Sequence, residues 1–265
     1  MHIEANGTRM RYSVEGREGA PWVTLVTGIA NDLSMWDGQI GALAPGFRIL
    51  RYDLRGQGGT QAEGGDYSIA LLSGDLVALW DALGVETTHL AGLGLGGAMI
   101  QDVALHHPGR LLSLAPCCCR AKMVPDFALM WHKLVETVRR SGMEAIVEPT
   151  VQRWFSDEFK AANPAVLEGM RQMIRGTSVA GYLGCVSAFL KLDLEDQLHR
   201  IRTPALYISG ADDRIGGPPA LMQGLAAMVP GARHASVPGA AHIANLQNPA
   251  GFNAVLCGFL NTFLR

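Results

Sequence analysis

The chain has 265 residues, 48% of them hydrophobic and 17% charged, and its 22 lysines and arginines nearly balance 24 aspartates and glutamates for a formal net charge of −2. That length supports one large α/β domain, or a domain with an inserted piece, and the apolar content excludes disorder and a disulfide-stapled miniprotein. A near-neutral balance without a basic run argues against nucleic acid and anionic membrane as partners.

Residues 1–11 carry Glu4, Asn6 and Arg9 where a secretory signal needs an unbroken apolar stretch, and no later run reaches membrane-spanning length, so a cytoplasmic location is expected. Two short strands over 2–5 and 10–15 read as a hairpin, followed by a buried strand over 23–27. Helical spacing over 36–43 gives way to a strand over 48–52, a Gly-rich loop, a helix over 69–83 and another apolar strand over 89–93. A helix over 95–107, stopped by Pro108-Gly109, precedes a strand over 111–115. This alternation predicts a parallel sheet covered by helices on both faces. From 120 to 199 only helical segments rich in Trp, Met and Arg appear, and the α/β alternation then resumes. Its last elements are a strand over 205–209, a helix over 219–228, a strand over 235–237 and a closing helix over 249–264. The five cysteines are odd in number, and three are consecutive at Cys117, Cys118 and Cys119, which reads as reduced thiols.

The segment Leu90-Ala91-Gly92-Leu93-Gly94-Leu95-Gly96-Gly97 is an apolar strand entering a glycine-dense turn that opens a helix. Gly92, Gly94 and Gly97 satisfy the G-x-G-x-x-G dinucleotide spacing, but no Asp or Glu lies between Val103 and Pro125 to hold a ribose, and the turn follows the fifth strand. The same turn fits the nucleophile elbow G-x-S-x-G over residues 92–96, with glycine in the serine position.

Taken with TGIANDLSMW, RYDLRGQG, GADD and GAAH, this turn makes the chain resemble the α/β-hydrolase family over nearly its whole length. Within that family it is most similar to 3-oxoadipate enol-lactonases, through SMWDGQI, LRYDLRGQGGT and GMEAIVEPTVQRWF. The resemblance implies a mostly parallel eight-stranded sheet flanked by helices, with a core over 1–119 and 200–265 and a helical cap over 120–199. It implies Asp213 as the triad acid and His242 as the base, with Asp212 the weaker candidate for the acid. It also implies an oxyanion hole from the amides of Ile29 and Leu95 and no cofactor. Its expected partner is a small lactone or ester, with a homodimer left open.

Gly94 has no hydroxyl, so no acyl-enzyme forms at that position. Three readings follow: a hydrolase disabled by a Ser→Gly change, one-step hydrolysis by water that His242 activates, or proton transfer in a lyase or isomerase. Outside enzymes, the alternative is a ligand-binding pseudohydrolase. Met130, Trp131 and Trp154 fall in the expected cap as substrate-lining candidates, with core packing the alternative for each. Arg153 suits a substrate carboxylate or an internal ion pair. Asp53 and Arg55 are read as holding their own loop together, the three consecutive cysteines as small core residues rather than a nucleophile, and His106-His107 as capping rather than binding metal.

Overall fold

The computed structural model describes residues 1–264 and opens with a hairpin, β1 (His2–Ala5) and β2 (Thr8–Gly16), turned at Asn6 and Gly7. Next come β3 (Trp22–Val26), α1 (Asp37–Leu43), β4 (Arg48–Tyr52), α2 (Ile69–Leu83) and β5 (Thr88–Leu93). These lead to α3 (Leu95–His106) and β6 (Leu111–Cys117). Five helices follow in succession: α4 (Pro125–Ser141), α5 (Glu144–Trp154), α6 (Asp157–Ala162), α7 (Pro164–Gly176) and α8 (Val179–Leu190). The chain closes with β7 (Leu206–Gly210), α9 (Pro219–Met228), β8 (Arg233–Val237), α10 (Ala244–Gln247) and α11 (Pro249–Leu260).

The eight strands form one sheet in the order β1-β2-β4-β3-β5-β6-β7-β8. The β1–β2 and β2–β4 pairs are antiparallel and all other pairs parallel. A parallel strand covered on both faces must be apolar on both, which is why Val23, Leu25 and Val26 of β3 are all fully buried. The one hydroxyl among them, Thr24, is satisfied by the Trp80 indole of α2 and by Thr88 of β5.

Several boundaries differ from the sequence expectation. β6 continues through Pro116 to Cys117 rather than stopping at Ala115. Pro116 lacks an N–H, and β6 meets β7 only at Cys117–Ile208 and the isolated Leu114–Ala205 bridge, so the proline falls where that ladder is interrupted. β8 starts at Arg233, two residues earlier than the apolar pattern suggests. The closing helix ends at Leu260, with a 3-10 turn over Asn261–Phe263.

The helices α4–α8 leave and re-enter the sheet at one place. The Met123 amide donates to the Leu192 carbonyl at 2.9 Å and the Leu194 amide to the Ala121 carbonyl at 2.7 Å. α8 rests on the loop after β4 so closely that a Cβ on Gly181 would lie 2.0 Å from the Gly56 carbonyl oxygen. Among the described residues no single helix is long and apolar enough to cross a membrane.

Candidate active site

Parallel strands deliver the loops at their C-terminal ends to one edge of the sheet, where open α/β folds build their sites. Gly28 follows β3, Gly94 follows β5, Asp213 follows β7 and His242 follows β8. Between this edge and the helices α4, α5 and α8 lies a cavity of about 700 Å³ including its mouth, a size suited to a small molecule.

Gly94 caps α3 with φ 60° and ψ −118°, a conformation strained for any residue with a Cβ, and its amide donates to the Cys117 carbonyl at 3.0 Å. The nearest atoms to a Cβ built there are His242 Nε2 at 3.7 Å and Gly28 Cα at 3.8 Å, ordinary contact distances. Position 94 therefore points at the imidazole with room for a side chain. The other glycines of the turn have a packing reason. A Cβ on Gly96 would lie 2.5 Å from the Thr27 carbonyl oxygen and one on Gly92 2.6 Å from Gly96, so the spacing serves the seating of α3 against the sheet.

His242 is fixed on three sides. Its Nδ1 pairs with Asp213 Oδ2 at 3.1 Å, which assigns the proton to Nδ1 and leaves the Nε2 lone pair facing Gly94. Its amide donates to the Trp154 carbonyl at 3.1 Å, and the Trp154 ring lies 6.3 Å away. Gly216 abuts the ring so tightly that a Cβ there would sit 1.9 Å from Cε1.

Asp213 is 2% exposed as a residue, and its side chain is fully buried. It accepts from the amides of Ile215 at 2.9 Å, Gly216 at 3.1 Å and Gly217 at 2.8 Å. Burial alone raises its pKa, but the facing His242 and these amides outweigh that and hold it below the ordinary carboxylate value. Asp212 is exposed, and the carboxylate that meets His242 Nδ1 is that of Asp213.

Ile29 and Leu95 line the same cavity, and neither backbone amide donates to an acceptor among the described residues. The Ile29 loop is held by Asn31, whose Nδ2 donates to the Ile29 carbonyl at 2.8 Å and whose amide donates to Gln57 Oε1 at 3.1 Å. Ala30 between them takes φ 58°, unusual for a residue with a Cβ.

Met130 and Trp131 of α4 and Arg153 and Trp154 of α5 line the opposite wall. Arg153 donates only to Thr150 Oγ1, at 3.4 Å, and no carboxylate pairs with it among the described residues. Its partial burial lowers its pKa, yet a guanidinium keeps its charge, so a half-buried cation lines the cavity. The Trp131 indole N–H is buried without an acceptor.

Other polar residues singled out in the sequence have structural partners. Asp53 accepts from the amides of Leu33 and Gly59 and from Arg11, and Arg55 pairs with Asp75 at 2.6 Å. Cys118 and Cys119 touch the cavity but are buried, which pushes their thiols well above the ordinary value. The Cys118 sulfur accepts from the Gly210 amide. His106 Nδ1 lies 3.1 Å from Asp102 Oδ1, one turn back on α3.

Asn31, Thr150 and Tyr182 also line the cavity, and the sequence reading did not reach them. Asn31 is the most informative, since its Oδ1 is buried and has no partner. Its place three residues after Gly28, in the loop that carries the Ile29 amide, was the available signal.

The profile described as "alpha/beta hydrolase fold" matches residues 21–249. This chain belongs to the α/β-hydrolase family. Over 263 residues this α/β hydrolase is 28% identical to 3-oxoadipate enol-lactonase 2 of Acinetobacter baylyi, covering 98% of this chain and 96% of that one. The enol-lactonase of Burkholderia xenovorans LB400 superposes with a TM-score of 0.95 at 33% identity, covering 98% and 100%. A thermophilic esterase of Thermogutta terrifontis, solved with malate bound, does so with a TM-score of 0.93 at 26% identity, covering 99% and 98%.

Proposed function

We propose that this α/β hydrolase cleaves a small lactone or ester that carries a carboxylate, by direct attack of water and without an acyl-enzyme. The observation that carries the reading is His242 Nε2, 3.7 Å from where a Cβ on Gly94 would lie, in a cavity lined also by Ile29 and Leu95, whose amides have no acceptor among the described residues. Water between Gly94 and the imidazole gives its proton to Nε2 as its oxygen attacks the acyl carbon. The buried Asp213 carboxylate, already paired with Nδ1, stabilises the imidazolium that forms. The amides of Ile29 and Leu95 receive the developing oxyanion, and Nε2–H then protonates the departing oxygen. An enol ester has a good leaving group, so general base catalysis of about 10²–10⁴-fold together with oxyanion stabilisation is adequate without a covalent step.

Arg153 and the Trp131 N–H supply the carboxylate site. A half-buried guanidinium with no internal carboxylate and an indole N–H with no acceptor line the same cavity, and an anionic group on the substrate would match them. Similarity to the two enol-lactonases and to an esterase solved with malate supports the same substrate class.

The test is turnover of 3-oxoadipate enol-lactone and of activated esters, with and without a carboxylate, followed together with the intact mass of the protein. Turnover with an unmodified mass is the expected result. An acyl adduct on the protein, or no turnover on any of these probes, rules the mechanism out.

A further inference from the structure

Arg120 lies just beyond the end of β6 and is not among the residues lining the cavity. Its carbonyl accepts from Gln101 Nε2 of α3 at 3.2 Å, and Gln101 Oε1 in turn accepts from the Tyr207 hydroxyl of β7 at 3.1 Å. Its guanidinium carbon lies 4.1 Å from the centre of the Phe127 ring, in the first turn of α4, and Nη2 donates to the Ile215 carbonyl at 3.0 Å. Nε is buried without an acceptor, and no carboxylate pairs with Arg120 among the described residues. A half-buried cation held by one carbonyl and one ring face keeps much of its field, and that field falls on the loop of the triad acid.

The Ile215 carbonyl and the Gly216 N–H are the two ends of one peptide unit. That N–H donates to Asp213 Oδ1 at 3.1 Å, and a Cβ on Gly216 would sit 1.9 Å from His242 Cε1. One planar group therefore connects the guanidinium at its oxygen, the carboxylate at its hydrogen and the imidazole at the next carbon. Hydrogen bonds in such a chain polarise one another, so a cation on the carbonyl makes the N–H a stronger donor to the carboxylate.

We propose that Arg120 is a positioning residue for the Asp213 and His242 pair, acting through the Ile215–Gly216 peptide and through its own charge. This deepens the reading of that pair as acid and base, by adding a member that does not touch substrate.

The bond to Ile215 holds the peptide against flipping. A flip withdraws the N–H from Asp213 and turns a carbonyl oxygen towards the carboxylate, and it loosens Gly216 against the imidazole.

The charge acts on the proton. His242 faces Asp213 from the loop after β8, and Arg120 and the thiols of Cys118 and Cys119 bear on it from the end of β6. Burial raises both thiols well above their ordinary value, so they are neutral, and Asp212 and Arg214 on either side of Asp213 are exposed. Burial lowers the pKa of Arg120 as well, but a guanidinium stays charged. Arg120 is therefore the standing countercharge of the carboxylate while His242 is neutral, and it disfavours a further proton on the pair. Removing the charge lets the pair take up that proton at higher pH.

The test follows by NMR, against pH, the proton that His242 Nδ1 shares with Asp213, in the full chain labelled with ¹⁵N-histidine. The signal is assigned by its loss in His242→Gln. Arg120→Met removes bond and charge, Arg120→Gln keeps a donor for Ile215 without the charge, and Arg120→Lys keeps the charge. The titration midpoint of the two neutral variants should lie about half a pH unit or more above that of the unaltered protein. The Lys variant should recover most of the difference, and the acidic limb of kcat/KM on the ester probes should move with the midpoint. The Gln variant decides the matter if the Met variant does not fold.

A folded neutral variant that titrates like the unaltered protein overturns the proposal, as does a Lys variant that titrates like the neutral ones. The titration needs no turnover. A raised midpoint without turnover on any probe removes the hydrolase reading and upholds this one, whereas turnover with an unmoved midpoint does the reverse.

Discussion

A serine placed at Gly94 meets no steric obstacle, because the Cβ position lies 3.7 Å from its nearest neighbour, but it must adopt φ 60°. Gly94→Ser is therefore expected to fold with a loss of about 1–2 kcal/mol in urea unfolding. It should also acquire an acyl adduct on activated esters, visible by intact mass. Arg153→Ala removes a charged hydrogen bond worth about 1.5–3 kcal/mol. KM for the carboxylate-bearing ester should rise roughly 10–100-fold while that for acetate stays within about twofold, since 1.4 kcal/mol is tenfold. Asp213→Asn keeps the shape of the pair but not its charge, and turnover should fall by roughly two to four orders of magnitude with the fold intact by circular dichroism. At this scale the sequence carries chemistry but not orientation. The family resemblance carried by GADD and GAAH was enough to nominate Asp213 and His242, whereas the unpartnered Asn31 Oδ1 and Trp131 Nε1 exist only because packing leaves them without donors or acceptors.

Among the elements, β5 carries a pH liability. His89 is buried between Phe47 and Phe263, with Nδ1 2.8 Å from the Ser113 hydroxyl, and desolvation lowers its pKa to about 4. Between about pH 6.5 and 4 the unfolded chain binds a proton here that the folded chain does not, so this group's contribution to stability falls as the pH drops through that window. The loss approaches about 3 kcal/mol at the low end. A His89→Gln variant should show a shallower decline of urea midpoint with acidification over that range, whatever its stability at neutral pH. Apolar runs and helix periodicity made nearly all these elements legible in the chain. Boundaries were lost where a local rule met a tertiary exception: Pro116 looks like a stop, yet lies where the β6–β7 ladder is already interrupted.

For the molecule as a whole, the contact between helices and sheet edge matters most to the site, since it sets the wall that carries Trp131, Arg153 and Trp154 opposite His242. α8 is seated there by the Gly181–Gly56 approach and by Ser178 Oγ, which lies 3.0 Å from the Gly56 carbonyl and donates to it. Gly181→Ala forces this contact apart, an overpacking change expected to destabilise by about 1–3 kcal/mol. The melting midpoint should drop by roughly 2–4 °C for each kcal/mol, with KM rising as the wall shifts. The helical character of 120–199 was readable from the sequence. The docking of α8 on Gly56 was not, because two glycines far apart in the chain give no periodic signal.

The crossing at Ala121–Met123 and Leu192–Leu194 has one more meaning. Two chain ends already held side by side by backbone hydrogen bonds need only a short turn to join them. The stretch between can thus change in length without re-threading a strand, so long as the Trp154 carbonyl still receives the His242 amide and α8 still meets Gly56. In such an architecture the appetite for a particular molecule and the machinery that breaks it can change at different times.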